Sequence, residues 1–85
     1  SFEEVKNSLE KSLNILEQSE MTDTALRNKL EALSVDIGNK GLVFWPLRVA
    51  LSGKDKSPDP VQLACVMGKE ESVKRINKAL ETLGQ

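Results

Sequence analysis

The sequence contains no histidine and no tyrosine. Without histidine there is no imidazole to move protons near neutral pH or to hold a metal. Without tyrosine there is no phenol chemistry. The one cysteine, Cys65, allows no internal disulfide and no cysteine-based zinc site. An unpaired thiol fits a reducing compartment such as the cytoplasm. No stretch approaches the roughly 18 consecutive apolar residues of a membrane helix. No charged start, apolar run and small-residue cleavage site marks a signal peptide. Neither sign of charge dominates: 12 bases stand against 13 acids, for a net charge of −1. That balance argues against a polybasic membrane binder and against a cationic coat for nucleic acid.

What remains is the composition of one small soluble domain. The chain has 85 residues, 39% hydrophobic and 29% charged, which suffices for one modest core. It opens on Ser1 rather than Met, as a piece excised from a longer chain would. A self-sufficient enzyme is not expected from this set of side chains.

Charge is unevenly placed. Residues 1–39 hold four bases and eight acids, a balance of −4, and residues 40–85 hold eight bases and five acids, a balance of +3. The second half can attract a phosphate backbone that the first repels. Ordinary solvated helix faces give the same pattern.

Hydrophobic spacing predicts helices and no strand pair. Phe2, Val5, Leu9, Leu13 and Leu16 recur at three- and four-residue steps, with Ser1 and Glu4 as a capping box. A second helix is expected from about Asp23 to Ile37. Thr22 or Asp23 would cap it and Gly38 would stop it. Trp45 precedes Pro46, which biases it away from the helical region. The run Leu42–Trp45 is therefore expected to be extended, with a short helix from Pro46 to Ser52. A polar loop, Lys54 to Pro60, leads to a second short helix ending at Met67, and Lys69 to Leu83 forms the last. The expected fold is all-α, a small bundle of about five helices, two of them short.

Few residues invite chemistry. Glu3/Glu4 and Glu70/Glu71 sit at helix starts and read as capping and solvation features rather than acid–base pairs. Cys65, within an apolar stretch, reads as a small buried thiol. Gly53-Lys54 and Gly68-Lys69 lack the spacing of a phosphate-binding loop. Phe44 and Trp45 read as core anchors. Arg48 stands between apolar neighbours, and ten residues on comes Ser57-Pro58-Asp59-Pro60, a proline-stiffened loop. A guanidinium can stack on an unpaired base, and fixed loop peptides can read its edge. Arg48 can equally cap a helix or pair with a carboxylate.

The ordered series Phe44-Trp45-Pro46-Leu47-Arg48-Val49-Ala50-Leu51-Ser52-Gly53, then Ser57-Pro58, then Gly68-Lys69-Glu70-Glu71 and Arg75-Ile76, resembles the carboxy-terminal end of bacterial-type glutamyl-tRNA synthetases. It covers about half the chain, Lys40 to Leu83. Met67 stands where the family usually has leucine. Pro60-Val61 stand where it often has a glycine and bulkier apolar residues. The resemblance implies an α-helical anticodon-binding domain, residues 1–85, at the end of a class I synthetase. That enzyme joins glutamate to tRNA(Glu) with ATP and Mg²⁺ in a separate catalytic domain of the same polypeptide. The chain itself would carry no catalytic residue, metal or cofactor and would not aminoacylate alone. The resemblance places Arg48, Ser57, Pro58 and Pro60 at the anticodon bases and Val61 at a base-packing position. Lys40, Lys54 and Lys56 are expected to meet phosphates. The alternative is a non-catalytic module for protein partners that uses Leu42-Val43-Phe44-Trp45 as an exposed anchor.

Overall fold

In the computed structural model the described residues, 1–54 and 56–84, form five helices. Asp55, inside the expected polar loop, and Gln85 lie outside them. The helices are α1 (Phe2–Gln18), α2 (Asp23–Ile37), α3 (Lys40–Ser52), α4 (Pro60–Met67) and α5 (Lys69–Leu83).

Local chemistry sets most of the boundaries. Ser1 Oγ accepts the Glu4 N–H at 3.3 Å to open α1. Thr22 Oγ1 accepts the Ala25 N–H at 3.3 Å to open α2. Gly38 closes α2 at φ +82°, where a side chain would be strained, and its N–H donates to the Ser34 carbonyl. Asp59 opens α4, its Oδ1 accepting the Val61 N–H at 2.8 Å and the Gln62 N–H at 3.4 Å. Pro60 then takes the first helical position, where a missing N–H costs nothing.

The middle of the chain departs from expectation. Residues 42–45 are helical, and α3 runs unbroken from Lys40 to Ser52 with Pro46 inside it. Asn39 caps it, Oδ1 accepting the Leu42 N–H at 3.2 Å. An interior proline removes one hydrogen bond and crowds the carbonyl four residues back, at a cost of about 3 kcal/mol. The opposing term is larger. Val43, Leu47 and Leu51 recur at four-residue steps across Pro46, and all three are fully buried. Each contributes roughly 1.5–3 kcal/mol of burial, and they share one stripe only if the helix continues.

The packing explains why α3 carries this stripe. Helix α3 packs against each of the other four. Those four close a ring around it through the pairs α1–α2, α2–α4, α4–α5 and α5–α1. From Pro46 to Ser52 every residue of α3 is buried or half-buried. The core comprises Leu9, Leu16, Leu26, Leu30, Leu33, Val43, Leu47, Leu51, Val61, Ala64 and Ile76. Ser8, Ser12 and Ser72 are also fully buried, small enough to let α1 and α5 approach their neighbours. The whole measures 31 × 26 × 25 Å.

Continuity of α3 also redirects its aromatic pair. Val43 and Leu47 take the inward positions. Phe44 is left half-buried against the core with Lys40 Nζ 5.5 Å from its ring centre. Trp45 is 53% exposed. The expected core anchor at Trp45 is thus a surface residue.

Candidate nucleic-acid interface

Arg48 lies four residues from the end of α3, about 6 Å along the axis. It is half-buried, and its Nε has no solvent contact and, among the described residues, no hydrogen-bond partner. Among the described residues Arg48 joins no salt bridge, so the carboxylate-pairing alternative is not realised there. The guanidinium stands on a helix packed against the other four, with no salt-bridge partner among the described residues.

Beyond Arg48 the backbone turns sharply. Gly53 adopts φ +76°, and its N–H donates to the Val49 carbonyl at 2.7 Å. Ser52 Oγ accepts the Lys54 N–H at 3.0 Å and donates to the Arg48 carbonyl at 2.7 Å. Lys54 and Lys56 are exposed in this connection. Ser57 is half-buried, its hydroxyl donating to the Pro58 carbonyl at 3.0 Å, and Pro58 is exposed.

The sequence-predicted residues thus fall into layers. Arg48, Ser57 and Pro58 keep accessible surface. Pro60 and Val61 are fully buried and form the floor of the loop, with no surface to offer a base in this structure. Lys54 and Lys56 lie near the end of α3. Lys40 begins that helix, roughly 20 Å away along a 13-residue axis. There it is paired with Glu31 at 3.2 Å, so the structure does not bring it to the other two lysines.

Two arginines that sequence reading did not single out for this site position it. Arg27 on α2 donates through Nη1 to Asp59 Oδ2 at 3.0 Å, and through Nε and Nη2 to Asp23 at 2.9 Å. The residue that caps α4 is thereby tied to α2. Burial raises the Asp59 carboxyl, but the Arg27 hydrogen bond and the Val61 and Gln62 N–H groups outweigh it and hold the pKa below the usual range. Arg27 hydrogen bonds also lower Asp23. Arg75 on α5 donates through Nη1 to the Leu51 carbonyl at 2.6 Å and through Nε to Glu71 at 2.8 Å. It therefore caps the carboxy-terminal turn of α3, where a cation suits the helix dipole. The Arg27–Asp23 pair is visible as a four-residue spacing; the Asp59 contact, 32 residues away, has no local signal.

Other chemistry is sparse. Burial pushes the Cys65 thiol up, away from the reactive thiolate. Among the described residues no group of three or more His, Cys, Asp or Glu gathers as a metal site. No helix there is long and apolar enough to cross a membrane.

Five helices, with α3 packed against each of the other four, define a small all-α domain. The model of the anticodon binding domain family matches residues 1–80, and the chain belongs to that family. The match takes in α1 and α2, which the sequence motifs did not reach. Similar curated proteins are glutamate–tRNA ligases. That of Clostridium tetani is 36% identical over 98% of this chain and 18% of its own length. That of Clostridium novyi is 42% identical over 88% of the chain and 16% of its own length. That of Solibacter usitatus is 37% identical over 92% of the chain and 17% of its own length. The chain thus spans less than a fifth of these relatives. No solved structure matches it significantly.

Proposed function

We propose that this chain is the anticodon-reading domain at the carboxy-terminal end of a glutamate–tRNA ligase. A separate catalytic domain of the same cytoplasmic polypeptide would join glutamate to tRNA(Glu) with ATP and Mg²⁺. The observation that carries the reading is similarity to glutamate–tRNA ligases over 88–98% of the chain. The geometry supports it: Arg48 has no salt-bridge partner among the described residues, and Ser57 and Pro58 keep accessible surface just before the buried Pro60 and Val61.

The mechanism is positional. Anticodon bases leave their stack and pack on the Arg48 guanidinium and on Pro58, while Ser57 and the loop peptides meet their edges. Lys54 and Lys56 take phosphates. Lys40 would add a phosphate contact only by giving up Glu31. Pro60 and Val61 act from beneath by fixing the loop, which lowers the ordering cost of binding. Each stacked base contributes about 1–3 kcal/mol. That biases the choice of tRNA without binding it tightly, so the isolated domain binds weakly and in a salt-sensitive way. The domain itself performs no aminoacylation.

Arg48→Ala in the full-length ligase tests this. Charging of tRNA(Glu) is expected to lose about tenfold in kcat/KM, with discrimination at the anticodon reduced. Unchanged preference for the cognate anticodon removes Arg48 from the site. One observation favours a protein-partner module instead, the half-exposed Trp45; that reading predicts that Arg48→Ala leaves RNA binding untouched.

A further inference from the structure

A groove of about 450 Å³ lies between α1, α3 and α5. Its walls are apolar: Val5 and Leu9 from α1, Trp45 and Val49 from α3, Ala79 and Leu83 from α5. Its only charged lining residues among the described residues are cations, Arg75 and Lys78. Arg75 is engaged by Glu71 and the Leu51 carbonyl. Lys78 joins no salt bridge among the described residues.

We propose that this groove is a second nucleotide seat. It takes one unpaired nucleotide of the same RNA whose anticodon meets Arg48, with the base on Trp45 and the apolar wall and the phosphate on Lys78. The proposal rests on the anticodon reading above and extends it. Three observations carry it. Trp45 and Arg48 are three residues apart on α3, hence neighbours on its surface, so the seat is continuous with the first site. An exposed aromatic face beside an ammonium that no described carboxylate pairs with is the combination that holds single-stranded nucleic acid irrespective of sequence. The volume suits a ligand of nucleoside size.

The test titrates the chain into an end-labelled anticodon stem-loop of tRNA(Glu), following RNA anisotropy and the emission of Trp45, the sole tryptophan. Emission is expected to be quenched with the same midpoint as the anisotropy change. Trp45→Ala should weaken binding about tenfold, and Trp45→Phe should retain most of it. Lys78→Gln should weaken binding and flatten its salt dependence. Ala79→Glu should weaken it from the α5 wall, with circular dichroism confirming the helical fold. If the RNA binds in an Arg48-dependent way while Trp45 emission and all the groove variants leave the titration unchanged, the second seat is refuted and the anticodon reading stands. If no form binds the RNA, both fall. Equal quenching by free AMP at the same concentration overturns the proposal. So does tighter binding of an acidic amphipathic peptide than of the RNA, or a concentration-dependent dimer in sedimentation.

Discussion

Asp59→Ala separates the two tasks that one carboxylate performs. It removes the α4 cap, freeing the Val61 and Gln62 N–H groups, and it cuts the 3.0 Å link from Arg27. Loss of an N-cap costs about 1 kcal/mol, within a range of 0.5–2. The ion pair is about a third exposed on both sides, so solvent screening leaves it roughly 0.2–1 kcal/mol. The sum is about 1–3 kcal/mol, a fall in Tm of roughly 5–20 °C for a domain of this size. Asp59→Asn keeps an oxygen for the cap and loses only the charge, so it should cost less than about 1 kcal/mol. The pH dependence has a fixed sign. The native carboxyl lies below its unfolded value. Its contribution is therefore complete above about pH 4 and fades as pH falls through the depressed native pKa. Urea melts at pH 7 and pH 3, followed by circular dichroism, measure both effects. The difference between wild type and Asp59→Asn should shrink at pH 3. Equal stability of wild type and Asp59→Ala at pH 7, or an Asn variant as damaged as the Ala variant, would refute the dual assignment.

Pro46→Ala restores an N–H toward the Leu42 carbonyl inside α3 and should raise stability by about 1 kcal/mol, the relief being offset by lost burial of the ring. A lower melting temperature for this variant would show that the ring's packing outweighs the backbone defect. Ser12→Ala removes a buried hydroxyl with no partner among the described residues. It should be neutral or stabilise by about 1 kcal/mol in chemical denaturation, whereas a loss above that would reveal a hydrogen bond in solution. Gly38→Ala forces a side chain into the left-handed region at φ +82° and should cost about 1 kcal/mol by the same assay.

Much of this architecture is written in short-range signals. The caps at Ser1 and Thr22, the stops at Gly38, Gly53 and Gly68 and the proline start of α4 all act within a few residues, and each lies where spacing placed it. The start of α3 was hidden because the rule for residues preceding proline is local, whereas the force that overrides it is the burial of Val43, Leu47 and Leu51 by four other helices. The same cause conceals the exposure of Trp45. Of the candidate site, Arg48 and the proline loop stand out in sequence because proline and arginine have few purely packing uses. The division of that loop into a presented edge and a buried floor follows from packing. The Arg27–Asp59 tie follows from tertiary proximity across 32 positions.

The encircling of α3 closes through α1 and α5, the first and last helices. That closure joins helices at least 51 positions apart in sequence, from Gln18 to Lys69, an entropically demanding loop to close. Removing either terminal helix would leave α3 bare along one flank. The molecule is thus expected to assemble all at once, and the geometry around Arg48 to vanish with any loss of the outermost turns rather than fade by degrees.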